Sequence, residues 1–131
     1  MVEVGAAIIK KDGRILIAQR NKNKAEGLKW EFPGGKIEDN ETVEEFLKRE
    51  IQEELCIDIQ IHDFFGESIY NCSKNSIKLI VFYGEWISGE LKAIEHEKIQ
   101  WVTVDELKHY DFAPADIPIV DKLRRGNFSG I

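Results

Sequence analysis

Residues 34–57 read GGKIEDNETVEEFLKREIQEELCI, and they commit the chain to a helix with acid on its apolar side. Thr42 and Glu45 stand at capping-box spacing, with Glu41 just outside the first turn. Val43, Phe46, Leu47 and Ile51 recur at helical intervals and mark one apolar face, which predicts a helix over residues 42–55. At about 100° per residue, Glu50 and Glu54 fall near the middle of that face and Glu53 on its flank. Glutamate is seldom buried unless it is paired or bound to a metal, and carboxylates at i, i+3 and i+4 repel one another. A divalent cation is the natural counterweight, because hard cations take carboxylate oxygens. The plainer alternative is a solvated acidic face, the usual fate of a charge run on a helix. Here the charges interrupt the apolar stripe and follow a Gly-Gly turn, which favours a built site.

The rest of the sequence narrows the class of protein. A length of 131 residues suits one domain over 1–131, long enough to bury a sizeable core. Its 43% hydrophobic and 32% charged residues are ordinary for a soluble globular chain. A net charge of −6 argues against a nucleic-acid polymer as partner, which would call for a basic face. A nucleotide is not excluded, because bound cations reverse the local field. The chain opens directly on MVEVGAAIIKKDG, without a charged lead and cleavage site, and no apolar run approaches membrane-spanning length. These features lead us to expect a cytoplasmic monomer with no membrane partner. Cys56 and Cys72 have no metal-ligand spacing and are expected as reduced thiols.

Taken in order, residues 2–10 and 14–20 read as two strands joined by a turn at Lys11-Asp12-Gly13, an opening hairpin. Residues 21–28 are polar and expected to form a mobile loop, and Trp30–Pro33 lead into Gly34-Gly35. After the helix, strands are expected over 57–70 and 77–86, with a turn between Asn71 and Ser76. Residues 91–98 are ambiguous, and 99–104 read as a last strand. A short helix begins at 104–107, and the loop 112–118, FAPADIP, enters a final helix over 117–125 followed by a frayed tail. Strands outnumber helices, so the fold class is α/β with a mixed sheet.

The segment Gly35–Ile57 resembles the Nudix box, G-x5-E-x7-R-E-U-x-E-E-x-G-U, where U is a bulky apolar residue. Gly35, Glu41, Arg49, Glu50, Ile51, Glu53, Glu54 and Ile57 fall in register, and Cys56 replaces the last glycine. That glycine position often needs a left-handed backbone, so Cys56 reads as a tolerated structural substitution rather than a redox switch. The hairpin ending in Gln19-Arg20, the segment Trp30–Gly35 and the FAPADIP loop are similar to MutT-type nucleoside triphosphate pyrophosphohydrolases and to their relatives acting on cytidine nucleotides. The resemblance implies the Nudix α/β/α sandwich. It also implies hydrolysis of a nucleoside triphosphate to the monophosphate and pyrophosphate, with magnesium as cofactor and manganese as a substitute.

By the same resemblance, Glu50, Glu53 and Glu54 with the Gly34 carbonyl would hold the metal. Glu50 or another nearby carboxylate would orient or deprotonate the water. Arg49 would tie to Glu41 and steady the loop against the helix, a fixed support for the ligands. The MutT pattern has a further metal-binding glutamate before the tryptophan matched by Trp101. Here that position is Gln100, which cannot replace an anionic ligand; Glu95 and Glu97 on the same loop are the substitutes, with Glu97 preferred. His96 reads as a loop or scaffold residue, and His62 and His109 carry no signal. Lys36 is either a phosphate contact or a solvated lysine. Arg20 matches a position close to substrate, against the alternative of a surface arginine at a strand end.

Asp116 bears on the base. MutT has asparagine there, which both donates and accepts and so can address the guanine O6. Ionised aspartate only accepts, which suits the exocyclic amine of cytosine. Aspartate still reads an oxidised guanine either through the N–H groups of the base or, if buried and protonated, through O6. The structural alternative for Asp116 is a cap on the last helix. Phe32 and Tyr70 are either base-pocket or core residues. Two substrate classes therefore stand: 8-oxo-dGTP and related damaged nucleotides, or CTP, dCTP and modified cytidine triphosphates. A competing class, a non-catalytic Nudix module that senses nucleotides, would be expected to lose box carboxylates, and this chain keeps them all.

Overall fold

Strands β1 (Val2–Lys11) and β2 (Arg14–Gln19) form the expected hairpin, turning on Asp12 and Gly13, both at positive φ (51° and 77°). The two strands pair only next to that turn, at Lys10↔Ile15 and Lys11↔Arg14. Beyond it they part, and residues 30–36 enter the wedge. Strand β3 (Trp30–Glu31) pairs with β2 at Ala18 and Gln19. Strand β4 (Gly34–Lys36) pairs with β1 over Val4–Ala6, and the Ala7 N–H donates to the Pro33 carbonyl at 2.9 Å. Gly34 passes so close to β1 that a Cβ there would overlap the Gly5 carbonyl oxygen. This close approach is why a glycine stands at that point of the wedge.

The computed structural model describes residues 1–38, 40–71 and 75–126. Cys72, the middle of the turn expected between Asn71 and Ser76, and the tail beyond 126 lie outside the described residues. Strand β5 (Ile57–Asn71) runs antiparallel to β6 (Ser76–Gly89), β6 lies parallel to β1, and β7 (Lys98–Val102) lies antiparallel to β2. The result is one mixed seven-stranded sheet. Helix α1 (Val43–Leu55) and helix α2 (Ile117–Arg125) begin and end within a residue of the sequence reading, and a 3₁₀ turn spans Asp105–His109.

The central strands are apolar on both sides because both of their faces are covered. On β1, Ala6 and Ile8 face one core and Ala7 and Ile9 the other; on β2, Ile15 and Ile17 oppose Leu16 in the same alternation. One core joins the sheet to Leu107, Ile119, Val120 and Leu123 of the 3₁₀ turn and α2. The other joins it to Phe46, Leu47, Ile51 and Leu55 of α1. A mixed sheet between helical layers is the expected α/β/α sandwich.

Thr42 caps α1 with the full capping box: its hydroxyl accepts from the Glu45 N–H at 3.1 Å, and the Glu45 carboxylate accepts from the Thr42 N–H at 3.2 Å. The helix stops at Cys56, which takes the left-handed conformation (φ 61°, ψ 28°) that the glycine pattern demands. A β-carbon in that region costs roughly 1–2 kcal/mol, offset in part by the greater freedom of an unfolded glycine, about 0.4–1 kcal/mol. Cys56→Gly is therefore expected to raise stability by about 0.5 kcal/mol, read from urea unfolding midpoints. A loss of stability would show that packing of the thiol outweighs the backbone strain.

Candidate active site

The wedge between β1 and β2 opens on α1, and a cavity of about 370 Å³ lies there, with Gly34, Gly35, Glu50 and Glu54 among its lining residues. Glu54 is only 8% exposed, and its Oε2 has no hydrogen-bond partner among the described residues. Burial first, then a hydrogen bond shared with Glu50, raises the Glu54 carboxyl to about 9. The two acids thus sit side by side on the cavity wall. A Cβ on Gly35 would stand 3.0 Å from Glu50 Oε1, so the glycine leaves room next to that carboxylate.

Glu53 goes elsewhere. It is exposed, and both its oxygens accept from Arg49 Nη1 at 3.1 Å. Arg49 also grips Glu41 in a two-pronged pair, Nε to Oε2 at 2.9 Å and Nη2 to Oε1 at 2.7 Å, and its Nη1 lies 3.7 Å from Glu50 Oε2. The hydrogen bonds from Arg49 hold the Glu41 carboxyl below its usual range, and those to Glu41 and Glu53 push the guanidinium upward. Arg49 therefore ties the entry loop of α1 to the helix and touches three of the box carboxylates.

Across the cavity, Glu31 on β3 uses both oxygens: Oε1 accepts from Arg20 Nη1 at 2.6 Å, and Oε2 lies 3.1 Å from His96 Nε2. Arg20 Nε donates to the Ala25 carbonyl at 2.8 Å, so the loop 21–28 closes back on the end of β2. Lys36 is exposed and lines the cavity, as do Lys24 and Glu95. Glu97 is not brought in; it is exposed, and its Oε1 accepts from the Lys22 N–H at 3.2 Å. Gln100 lies on β7, opposite Ile17 of β2.

Asp116 is 6% exposed, and its Oδ2 accepts from the Phe32 N–H at 3.0 Å. The carboxylate makes no cap bond to α2, so the side chain spans to the residue that follows β3 instead of closing the helix end. Burial, with the nearby Glu31 second, raises this carboxyl to about 8. A second, smaller cavity of about 150 Å³ adjoins it, with Tyr70, Ile77, Leu79 and Pro114 among its walls, and Arg20, Glu31 and Asp116 border both cavities. Phe32 is 2% exposed and stacks on Phe112, so its ring belongs to the core and its backbone to the site.

A family model described as "NUDIX domain" matches residues 1–123. The chain belongs to the NUDIX family. Among curated NUDIX relatives, it is 38% identical to the CTP pyrophosphohydrolase of Escherichia coli K12, over 92% of this chain and 90% of that one. It is 34% identical to the 8-oxo-dGTP diphosphatase of the same organism, over 95% and 97% of the two chains. In structure it is similar to the E. coli ORF135 protein, with a TM-score of 0.82 and 37% identity over 92% of this chain and 86% of that one. The mixed sheet with its two helices is thus the NUDIX architecture.

NUDIX hydrolases generally need a divalent cation. The fit can be judged on the donors themselves. The unpartnered Glu54 Oε2, the adjoining Glu50 and the space left by Gly35 suit a hard cation. Among the described residues no three acidic, histidine or cysteine side chains converge into a ready-made cage. A hard cation that keeps several waters and takes one or two carboxylates tolerates that.

Two residues of the site, Glu31 and Lys24, were not singled out from the sequence. Glu31 had a signal: flanked by two aromatic residues in WEF, it falls by strand alternation on the side opposite Phe32. Lys24 had none, because its place follows from how the loop folds back.

Proposed function

We propose that the chain acts as a single NUDIX domain, a magnesium-dependent hydrolase of nucleoside triphosphates that releases the monophosphate and pyrophosphate. As a NUDIX protein with named pyrophosphohydrolase relatives, it is a hydrolase of phosphoric anhydrides. The observation that carries the finer reading is the pairing of Glu50 and Glu54 on a buried helix face, with one carboxylate oxygen unpartnered. These two carboxylates and the Gly34 carbonyl are the residues we assign to the cation, with manganese able to replace magnesium. Bound there, the ion supplies charge neutralisation for the phosphates and acidification of the attacking water. Glu53 is engaged by Arg49 and Glu97 by the Lys22 backbone, so each would join the set with lone pairs that those bonds leave free. Arg49 and Glu41 brace the ligands, Arg20 and Lys36 meet phosphate, and Asp116 with the Phe32 backbone reads the base.

The base-side assignment supports oxidised guanine nucleotides such as 8-oxo-dGTP as leading substrates, consistent with the name of one relative. A buried Asp116 that keeps its proton below about pH 8 offers a donor and an acceptor, the pattern asparagine would offer. A second reading, cytidine triphosphates, is favoured by the aspartate itself and by the name of the relative at 38% identity. Once ionised, Asp116 can only accept, which matches the cytosine amine.

A panel of common and oxidised nucleoside triphosphates with magnesium, with pyrophosphate and monophosphate measured separately, tests both. No pyrophosphate from any of them would leave a nucleotide-sensing module. Asp116→Asn is expected to lower catalytic efficiency on cytidine nucleotides by roughly tenfold more than on oxidised guanine nucleotides. An equal loss on both would remove Asp116 from base discrimination.

A further inference from the structure

We propose that His96 is a positioning residue which, through Glu31, fixes the Arg20 guanidinium at the junction of the phosphate-side and base-side cavities. The assignment rests on the reading above of what fills those cavities. Arg20, Glu31 and Asp116 border both spaces, so the Arg20–Glu31 pair stands where a nucleotide would pass from base to phosphate. The position of the guanidinium there sets how the two ends of the substrate register with Asp116 on one side and Glu50 and Glu54 on the other.

The pair alone does not hold that position. One oxygen of Glu31 serves Arg20; the other is held by His96 Nε2, and with both taken the carboxylate plane is fixed. An ionised carboxylate only accepts, so His96 Nε2 donates. The His96 side chain is 6% exposed, and its Nδ1 has no partner among the described residues, so its bond to Glu31 is the polar contact the ring makes there.

Its loop is anchored at both ends. Lys92 and Ile94 N–H groups donate to the Leu55 and Glu54 carbonyls at the end of α1, and the Glu97 N–H donates to the Gln19 carbonyl at the end of β2. His96 therefore reaches Glu31 from a fixed base. Arg20 uses Nε for Ala25 and Nη1 for Glu31, and among the described residues Nη2 has no hydrogen-bond partner, leaving it for a ligand. Without His96, Glu31 would be free to turn, and Glu50 and Glu95 in the same cavity would compete for Arg20. Substrate would then bind less well while the reacting groups stay in place.

The test compares His96→Ala with His96→Gln, whose amide nitrogen reaches as far as Nε2. With the leading substrate of the panel, His96→Ala should raise KM by about tenfold with kcat within about threefold, and His96→Gln should restore KM to within about threefold. In parallel, the Arg20 Nε–H signal in ¹⁵N NMR should be sharp and exchange-protected in the wild type and His96→Gln, and broadened in His96→Ala. An unchanged KM, a fall in kcat alone, or failure of a folded His96→Gln to restore KM would overturn the proposal. If the wild type turns over no nucleoside triphosphate, the function proposed above fails by itself. The Arg20 signal still decides the role of His96, and equal signals in all three proteins overturn it. Should His96→Ala not fold, His96→Asn, whose shorter amide falls short of Glu31, is compared with His96→Gln instead: a rise in KM with a broadened Arg20 signal in His96→Asn alone upholds the relay, and any other result overturns it.

Discussion

Glu54→Gln should lower turnover by roughly 10²–10³-fold while leaving the fold intact. The side chain is buried on the α1 face beside Glu50, with one oxygen unpartnered among the described residues. Burial and the shared hydrogen bond with Glu50 already favour the protonated acid, so a neutral amide of the same shape replaces it without a new penalty in the metal-free protein. What the amide cannot do is answer a cation with charge. Thermal unfolding without metal should therefore stay level or rise, whereas the upward shift that magnesium produces in the wild type should disappear. Wild-type turnover of this variant at saturating magnesium would take Glu54 out of the cation site. Glu53→Gln in the same assay separates the family pattern from the geometry, which gives Glu53 to Arg49. A loss as deep as that of Glu54→Gln would place Glu53 in the ligand set alongside its bonds to Arg49.

The ease of reading differed sharply between parts of this chain, for physical reasons. Helix α1 was legible to within a residue, because its cap, its apolar stripe and its left-handed stop at Cys56 are all local chemistry. The same periodicity separated the buried Glu54 from the exposed Glu53, since angle on a helix translates directly into burial. Strands β1 and β2 were legible because both faces are covered and the run of apolar residues is continuous.

The wedge was not. Strands β3 and β4 are two and three residues long, with no period to read, and their pairing partners are fixed by where β1 and β2 part company. Residues 91–98 were ambiguous for a related reason: the loop is shaped by backbone bonds to α1 and β2 rather than by its own pattern. Glu31 and His96 meet across that unreadable geometry, which is why neither stood out as part of a site. Asp116 was found for its base chemistry, but its bond to the Phe32 backbone, in place of a helix cap, only the fold could show.

That bond, and the burial around it, also dictate how the metal-free protein should respond to pH. Burial first and Glu31 second raise the Asp116 carboxyl to about 8 in the folded protein, from an unfolded value of 3.8. Below the unfolded value both states hold the proton, and the contribution of Asp116 to stability is fully present. Between that value and about 8 the folded protein keeps a proton that the unfolded chain has released, so stability falls as pH rises. Above about 8 both states are ionised, and the loss levels off. The slope for one such group is about 1.4 kcal/mol per pH unit, so urea unfolding in the presence of a chelator should show a steep decline between pH 5.5 and 7.5. Asp116→Asn keeps an acceptor for the Phe32 N–H and has no proton to lose, so its decline should be shallower by about that amount per unit. Glu54, raised in the same direction, leaves a residual slope in that variant, which Glu54→Gln should remove in turn. If wild type and Asp116→Asn decline in parallel, Asp116 ionises freely inside the fold. The donor for the guanine O6 is then missing at neutral pH, and Asp116 acts only as an acceptor, open to the cytosine amine and to the N–H groups of an oxidised guanine alike.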